Sequence, residues 1–263
     1  MDQNKIKDLT RLAIKTAFLA GEKILKIYES SITVDYKTDG TPLTEADKSS
    51  HEIIIQTLKE SGLPILSEEG KEIPFEERKN WEFYWLVDPL DGTKEFINRN
   101  GEFTVNIALM EKHHPCAGVI FLPVNGVAYA GIQNDGLYKF FANQKICFDE
   151  NHKLKSNNHK EENKIRVIAS RSHKSIETES FINNLRSSKN NIELLNAGSS
   201  LKFCLLAEGI ADIYPRFAPT MEWDTAAGHA LLKSVGKNIY LHPGGAEMTY
   251  NNPILINDWF IAR

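Results

Sequence analysis

The order of hydrophobic patterns along this chain restricts its fold more than any other feature. LPILS, FYWLV, EFTVNIALMEK, CAGVIFLP, GVAYAGIQ and GLYKF follow one another, punctuated by Gly, Pro and Asn, and read as short consecutive strands. Residues 148–163 are polar and lack hydrophobic period. Beyond them KIRVIAS, NIELLN and ADIYP read as strands that alternate with helices at SIETESFINNLRS, SSLKFCLLAEG and EWDTAAGHALLKSVG. Consecutive strands suggest an antiparallel meander, and alternation suggests an α/β layered unit. The expected molecule has two lobes, an α+β lobe over residues 1–155 and an α/β lobe over residues 156–263.

Two helices precede the meander and are expected to pack on it. Ile6, Leu9, Ala13, Ile14, Ala17, Phe18, Gly21, Ile24, Leu25 and Tyr28 recur at helical spacing, opposite a charged face. SITVDYK then reads as a strand and KTDGTP as a turn. A second helix fits residues 44–61, with Thr44 as N-cap and Asp47 three positions on, where a capping box places an acid.

Composition excludes several classes of function. The net charge of -4 gives no general pull toward nucleic acid or anionic membrane, so a phosphate-binding activity needs a local basic or metal site. The 3 cysteines, Cys116, Cys147 and Cys204, are widely spaced and suit free thiols better than a disulfide framework. No apolar run approaches the ~20 residues of a membrane span, and a cytoplasmic protein is expected, with peripheral membrane association left open.

WLVDPLDGT closes an apolar strand with Asp88 and Asp91 around Pro89 and Leu90. Asp, Pro and then Asp-Gly is sound turn chemistry, and a plain turn is one reading. A site is the other, because strand ends facing a crevice are where α/β proteins hold ligands. Glu68 and Glu69 follow a strand in ILSEEG, while Asp47 in TEAD and Asp224 in EWDTAAG sit at helix starts. A solvated loop explains the first two. Favourable interaction with the helix macrodipole, ~0.3–1 kcal/mol each, explains the others.

If Glu68, Asp88, Asp91 and Asp224 converge in a partly desolvated cleft, their repulsion requires cations between them. Oxygen donors without Cys or His point to a hard ion, Mg²⁺ ahead of Ca²⁺ or Mn²⁺, and the Leu90 carbonyl can complete the coordination. Such ions act on phosphate esters. Gly92 then lets backbone N–H groups approach the anion at the start of a short helix, and Thr93 offers a hydroxyl to orient the attacking water.

GTPLTEAD, LSEE, WLVDPLDGT and EWDTAAGHAL, in this order over residues 39–232, resemble the inositol monophosphatase superfamily of Mg²⁺-dependent, lithium-sensitive phosphatases. Within it, NAGSSLKFCLLAEGIADIYPRFAPTMEWDTAAGHA is most similar to the CysQ-type branch of 3'(2'),5'-bisphosphate nucleotidases, which release the 3'-phosphate of 3'-phosphoadenosine 5'-phosphate. The resemblance implies a layered αβαβα sandwich, α+β and α/β in class. It implies that Glu68, Asp88, Asp91 and Asp224, with the Leu90 carbonyl, bind two or three Mg²⁺ ions. Asp47 and Thr93 would pair to activate the water, and Glu69 would help to hold the water shell of a further ion. A small nucleotide is the implied partner, with a place in sulfate assimilation.

The substrate side is carried by the second lobe. Gly198, Ser199 and Ser200 with Lys202 open a helix, which suits an anion and equally an ordinary cap, while Arg216 leaves a strand before the Asp224 motif. The resemblance implies that Ser200, Lys202 and Arg216 hold the adenosine 5'-phosphate and that His173 lies near the base. Glu68, Gly92, Thr93 and Asp224 join them as substrate-binding positions. Inositol monophosphatase activity is the alternative. That branch carries a ring-contacting glutamate about two helical turns before its Trp-Asp pair, and here Glu222 stands too close. His113, His114 and His229 lack metal spacing and read as structural.

Overall fold

In the computed structural model residues 1–30, 34–36, 42–154, 164–170, 175–188 and 191–263 are described. The N-terminal half opens on α1 (Gln3–Tyr28), started by the Asp2 carboxylate, which accepts the Lys5 N–H at 2.8 Å. Ile6, Leu9, Ala13, Ile14, Ala17 and Ile24 form its buried stripe. A short hairpin, β1 (Val34–Tyr36) and β2 (Pro42–Thr44), leads into α2 (Glu45–Leu58). Thr44 caps α2 and Asp47 returns the bond to the Thr44 N–H, as the spacing predicts. Most of the KTDGTP turn, residues 37–41, lies outside the described residues.

The strands that follow build one sheet. They are β3 (Ile65–Ser67), β4 (Phe83–Asp91), β5 (Thr104–Glu111), β6 (His114–Leu122), β7 (Val127–Ile132) and β8 (Gly136–Phe141), with the short helices α3 (Phe75–Arg78) and α4 (Thr93–Ile97) on either side of β4. Their order in the sheet is their order in the chain. β3 runs parallel to β4, and the other neighbours are antiparallel, which is the expected meander.

In the C-terminal half β9 (Lys164–Ser170) and β10 (Asn191–Ala197) pair in parallel through α5 (Ile176–Ser187). The helix α6 (Leu201–Ala207), the strand β11 (Tyr214–Arg216) and the helix α7 (Glu222–Ser234) come next. β12 (Ile239–Leu241) and β13 (Phe260–Ala262) then complete an antiparallel sheet of order β11-β13-β12, so this half is less purely α/β than the alternating pattern suggests. ADIYP is only partly a strand: β11 begins at Tyr214 and runs on to Arg216. The expected lobe boundary at 155/156 lies outside the described residues.

Two cores hold the layers. One joins α1 and α2 to one face of the large sheet through residues such as Ile14, Ile54, Val87, Ile107 and Phe121. The other joins the opposite face to α6, α7 and the smaller sheets through Leu86, Ile120, Phe203, Leu231 and Phe260. α5 packs outside β10. The result is the αβαβα sandwich. α7 presses directly on the sheet backbone: a Cβ on Gly118 would lie 2.6 Å from the Ala227 carbonyl, and one on Gly131 would lie 2.6 Å from Leu231 Cα. That contact fixes the end of α7 that carries Asp224.

Candidate active site

The strand β4 does not stop at Val87. Its ladder to β5 continues through Asp88↔Asn106 to Asp91↔Thr104, with a register shift between the two acids. DPLDGT is therefore a bulged strand end and not a β-turn, and the bulge re-aims Asp88 and Asp91. The Leu90 N–H donates to Asp88 Oδ1 at 3.0 Å. Glu68 leaves the adjacent parallel strand and donates its N–H to the Val87 carbonyl at 3.1 Å, so Glu68 and Asp88 emerge side by side. Asp224 stands in the first turn of α7, where its carboxylate accepts the Met221 N–H at 2.9 Å.

Carboxylate oxygens of Glu68, Asp88 and Asp224 lie within 4.8 Å of one another. Burial, followed by the charges of Glu68, Asp91 and Asp224, holds Asp88 well above the usual carboxylate range. Burial and then Asp91 and Glu68 do the same to Asp224. Asp91 is next to this group but outside it, because one of its oxygens accepts the Ser200 N–H at 2.6 Å and faces the Asn106 amide at 3.4 Å. Its carboxyl is raised by burial, an effect that Lys202 opposes. Glu69 follows Glu68 and is not part of the group of three. Crowded, desolvated carboxylates with no sulfur or imidazole among them fit a hard divalent cation.

α2 brings a further acid to the same edge. Asp47 is 2% exposed, and its Oδ2 accepts both the N–H and the hydroxyl of Thr44, at 2.7 and 2.6 Å. Its Oδ1 is left for the Thr93 hydroxyl at 3.1 Å. The same hydroxyl lies 3.5 Å from the Leu90 carbonyl. Burial raises the Asp47 carboxyl, and the hydrogen bonds from Thr44 and Thr93 pull the other way. Ser50 locks α2 to the bulge by donating to the Pro89 carbonyl at 2.7 Å.

A cleft of about 170 Å³ is lined by Asp91 and Asp224 and, from the C-terminal half of the chain, by Lys202, Tyr214 and Arg216. The Lys202 ammonium donates to the Ser199 carbonyl, and burial brings its pKa down to about 8 against the pull of Asp91. Arg216 donates to the Pro219 carbonyl at 3.3 Å, while its Nε is buried without a hydrogen-bond partner. Ser200 lines the cleft too: its hydroxyl is hydrogen-bonded to Asn106 at 2.6 Å and Thr104 at 2.7 Å, and its N–H donates to Asp91. His173 lies outside the described residues.

Sequence reasoning missed Glu95 and Thr220, which line the cleft alongside the expected Ser199. It also missed the buried pair Thr104 and Asn106, although two polar residues inside the apolar strand EFTVNIALM were a usable signal. Gly92 is required by its backbone. Its φ is +94°, and a Cβ would lie 3.2 Å from Ser199 Cβ. Gly92→Ala is expected to cost about 1–2 kcal/mol of stability from the left-handed conformation alone, read as a drop in urea midpoint, and to lower kcat by misplacing Thr93.

Glu222 is fully buried and faces away from the cleft, taking the N–H groups of Asn251 and Asn252 at 2.7 and 2.9 Å. Its spacing in the sequence already argued against a sugar-contacting role, and its partners fill its acceptors. His229 is likewise structural. It bonds Tyr250 and Asn238, and burial depresses its pKa to about 4. Cys116, Cys147 and Cys204 are free thiols. Among the described residues no helix is long and apolar enough to cross a membrane.

Residues 5–258 match the inositol monophosphatase family. The chain is 41% identical over 225 residues to the 3'(2'),5'-bisphosphate nucleotidase CysQ of Salmonella typhimurium, covering 84% of this chain and 85% of that protein. It is 43% identical over 232 residues to the protein of the same name from Buchnera aphidicola, covering 86% and 82%. Among solved structures, CysQ from Bacteroides thetaiotaomicron superposes with a TM-score of 0.88 at 44% identity, over 98% of this chain and 97% of that one. An inositol monophosphatase from Anabaena shares the fold at a TM-score of 0.73 and 20% identity, over 98% and 90%.

Proposed function

The chain belongs to the inositol monophosphatase family, and from that premise we propose that it is a Mg²⁺-dependent phosphomonoesterase that converts 3'-phosphoadenosine 5'-phosphate to AMP and phosphate. The observation that carries this reading is a cleft lined from both halves of the chain. Asp91 and Asp224, from the crowded carboxylates, line it together with Lys202 and Arg216. A substrate with two phosphates engages both the carboxylate-held cations and the two basic side chains. The likeness to bisphosphate nucleotidases over most of the chain supports the same substrate.

Glu68, Asp88 and Asp224, with Asp91 and the Leu90 carbonyl, are the residues we assign to Mg²⁺, which when bound neutralises the ester and lowers the pKa of water. Four carboxylate charges balance two such ions, and Glu69 is assigned to the water shell of a third. Asp47 and Thr93 handle the proton. Thr93 donates to Asp47 Oδ1, so a lone pair of its hydroxyl oxygen is left to accept a proton from the attacking water. The raised carboxyl of Asp47 makes it a better base than a solvated aspartate.

Lys202 and Arg216 hold the 5'-phosphate. The Arg216 Nε, buried without a partner, is suited to a phosphate oxygen. Arg216→Ala is expected to raise KM for the bisphosphate about tenfold or more while changing turnover of a simple monophosphate much less. Equal losses on both would remove the clamp. The whole reading is tested by phosphate release with Mg²⁺ from 3'-phosphoadenosine 5'-phosphate, inositol 1-phosphate and fructose 1,6-bisphosphate. A higher kcat/KM for either sugar phosphate than for the nucleotide would overturn it.

A further inference from the structure

Glu95 is an acid in a cleft that also holds the basic side chains Lys202 and Arg216. It stands in the first turn of α4, three residues after Gly92, and lines the cleft together with Gly92, Ser199 and Lys202. Its charge is felt by both Asp91 and Lys202. Among the described residues no donor is hydrogen-bonded to its carboxylate, whereas the nearby Glu102 accepts the Gly198 N–H at 2.7 Å. The proposed mechanism gives Glu95 no work.

Its position is nevertheless closely defined. A Cβ on Gly92 would lie 3.3 Å from Glu95 Oε2, and a Cβ on Gly198 would lie 2.9 Å from Glu95 Cγ. Two glycines from different lobes thus leave the space in which this side chain lies. A carboxylate fixed beside a phosphate site repels the ligand unless it meets a cation or a neutral hydrogen-bond donor. Among the described residues no ion pair joins Lys202 to it, and the Lys202 ammonium donates instead to the Ser199 and Ala197 carbonyls.

We infer that Glu95 is a specificity residue that accepts a hydrogen bond from the hydroxyl vicinal to the scissile phosphate, the ribose 2'-hydroxyl of a 3'-phosphonucleotide. This rests on the function proposed above. With the scissile phosphate near Asp91 and Thr93 and the second phosphate at Lys202 and Arg216, the ribose spans the cleft between them. Its 2'-carbon is bonded to the carbon bearing the scissile ester, so the 2'-hydroxyl faces the wall next to that phosphate, which is formed by Gly92, Glu95 and Ser199. The hydroxyl offers the donor that the carboxylate lacks. A substrate without it leaves a negative charge facing an anion, which is how a polar site rejects an analogue missing one hydroxyl.

The test compares kcat/KM for 3'-phosphoadenosine 5'-phosphate and its 2'-deoxy analogue in the wild type, Glu95→Gln and Glu95→Ala, each over a Mg²⁺ series. The wild type is expected to prefer the ribonucleotide about ten- to hundredfold, the size of a hydrogen bond to a charged group. Glu95→Ala is expected to bring the ratio to within about threefold of unity, and Glu95→Gln, which keeps an acceptor, to fall between. A wild-type ratio near unity, or an unchanged ratio in Glu95→Ala, overturns the assignment of Glu95 and leaves the nucleotidase reading intact. An intact ratio with a shifted Mg²⁺ requirement overturns it too, by moving Glu95 to a cation's water shell. If the wild type hydrolyses neither nucleotide but does hydrolyse inositol 1-phosphate, both readings fail.

Discussion

Asp88→Asn is expected to reduce kcat/KM by at least about a thousandfold and, in the same protein, to raise the melting temperature measured without divalent cations. The two effects have one cause. Asp88 is 1% exposed and is surrounded by Glu68, Asp91 and Asp224. Burial and those charges disfavour its ionised form, so without cations the folded state carries a penalty that the unfolded chain does not. Asparagine keeps the oxygen that accepts the Leu90 N–H and removes the charge. The gain, on the order of 1–2 kcal/mol, corresponds to a few degrees for a chain of this size. The sign with pH follows. The folded pKa of Asp88 is raised, so the unfolded chain ionises first as pH rises, and wild-type stability falls between the ordinary aspartate value and the raised one. The variant's advantage should be absent near pH 3 and fully present once the pH exceeds the folded pKa. Adding Mg²⁺ should stabilise the wild type and do much less for Asp88→Asn. Melts over pH, with and without Mg²⁺, read this directly, and an apo variant no more stable than the wild type above that window would refute the repulsion argument.

Features of the site that depend on neighbouring residues were legible in the sequence. Thr44 and Asp47 lie three positions apart, and local backbone geometry alone makes them a capping box. The apolar strand ending in Asp88 and the helix beginning before Asp224 are read from period and composition, and both stand where the pattern put them. What stayed hidden depends on pairing across the chain. The DPLD stretch looks like a turn until β5 arrives to carry the ladder on to Thr104. Ser200 looks like a free N-cap until Asp91, 109 residues away, takes its N–H and Asn106 takes its hydroxyl. β12 and β13 are three residues each, too short for any period to declare them. Glu95 had no signal beyond its helix turn, because the space it occupies is left by Gly92 and Gly198, which the fold brings together.

Asp47→Asn should lower kcat by about 10²–10⁴, the range of general acid–base catalysis, with little change in KM. The amide has one acceptor where the carboxylate has two. Asp47 Oδ2 serves the Thr44 N–H and hydroxyl, and Oδ1 serves Thr93. If asparagine keeps its oxygen on the Thr44 cap, its NH₂ faces Thr93 and donates to the hydroxyl oxygen. That occupies the lone pair assigned to the water's proton and turns the relay around. The fold is retained, since the cap survives, and a thermal melt should fall by only a few degrees. Thr93→Ala removes the other half of the relay and should lower kcat about a hundredfold, whereas Thr93→Ser should restore most of it. Because the two groups act as one unit, the double variant should be hardly worse than Asp47→Asn alone. The pH profile separates catalysis from support. Burial raises the Asp47 carboxyl, so the acidic limb of kcat should lie above the ordinary aspartate range and should vanish in Asp47→Asn. A variant that loses activity but keeps that limb would make Asp47 a brace for α2, and the base would have to be sought among the remaining carboxylates of the cleft.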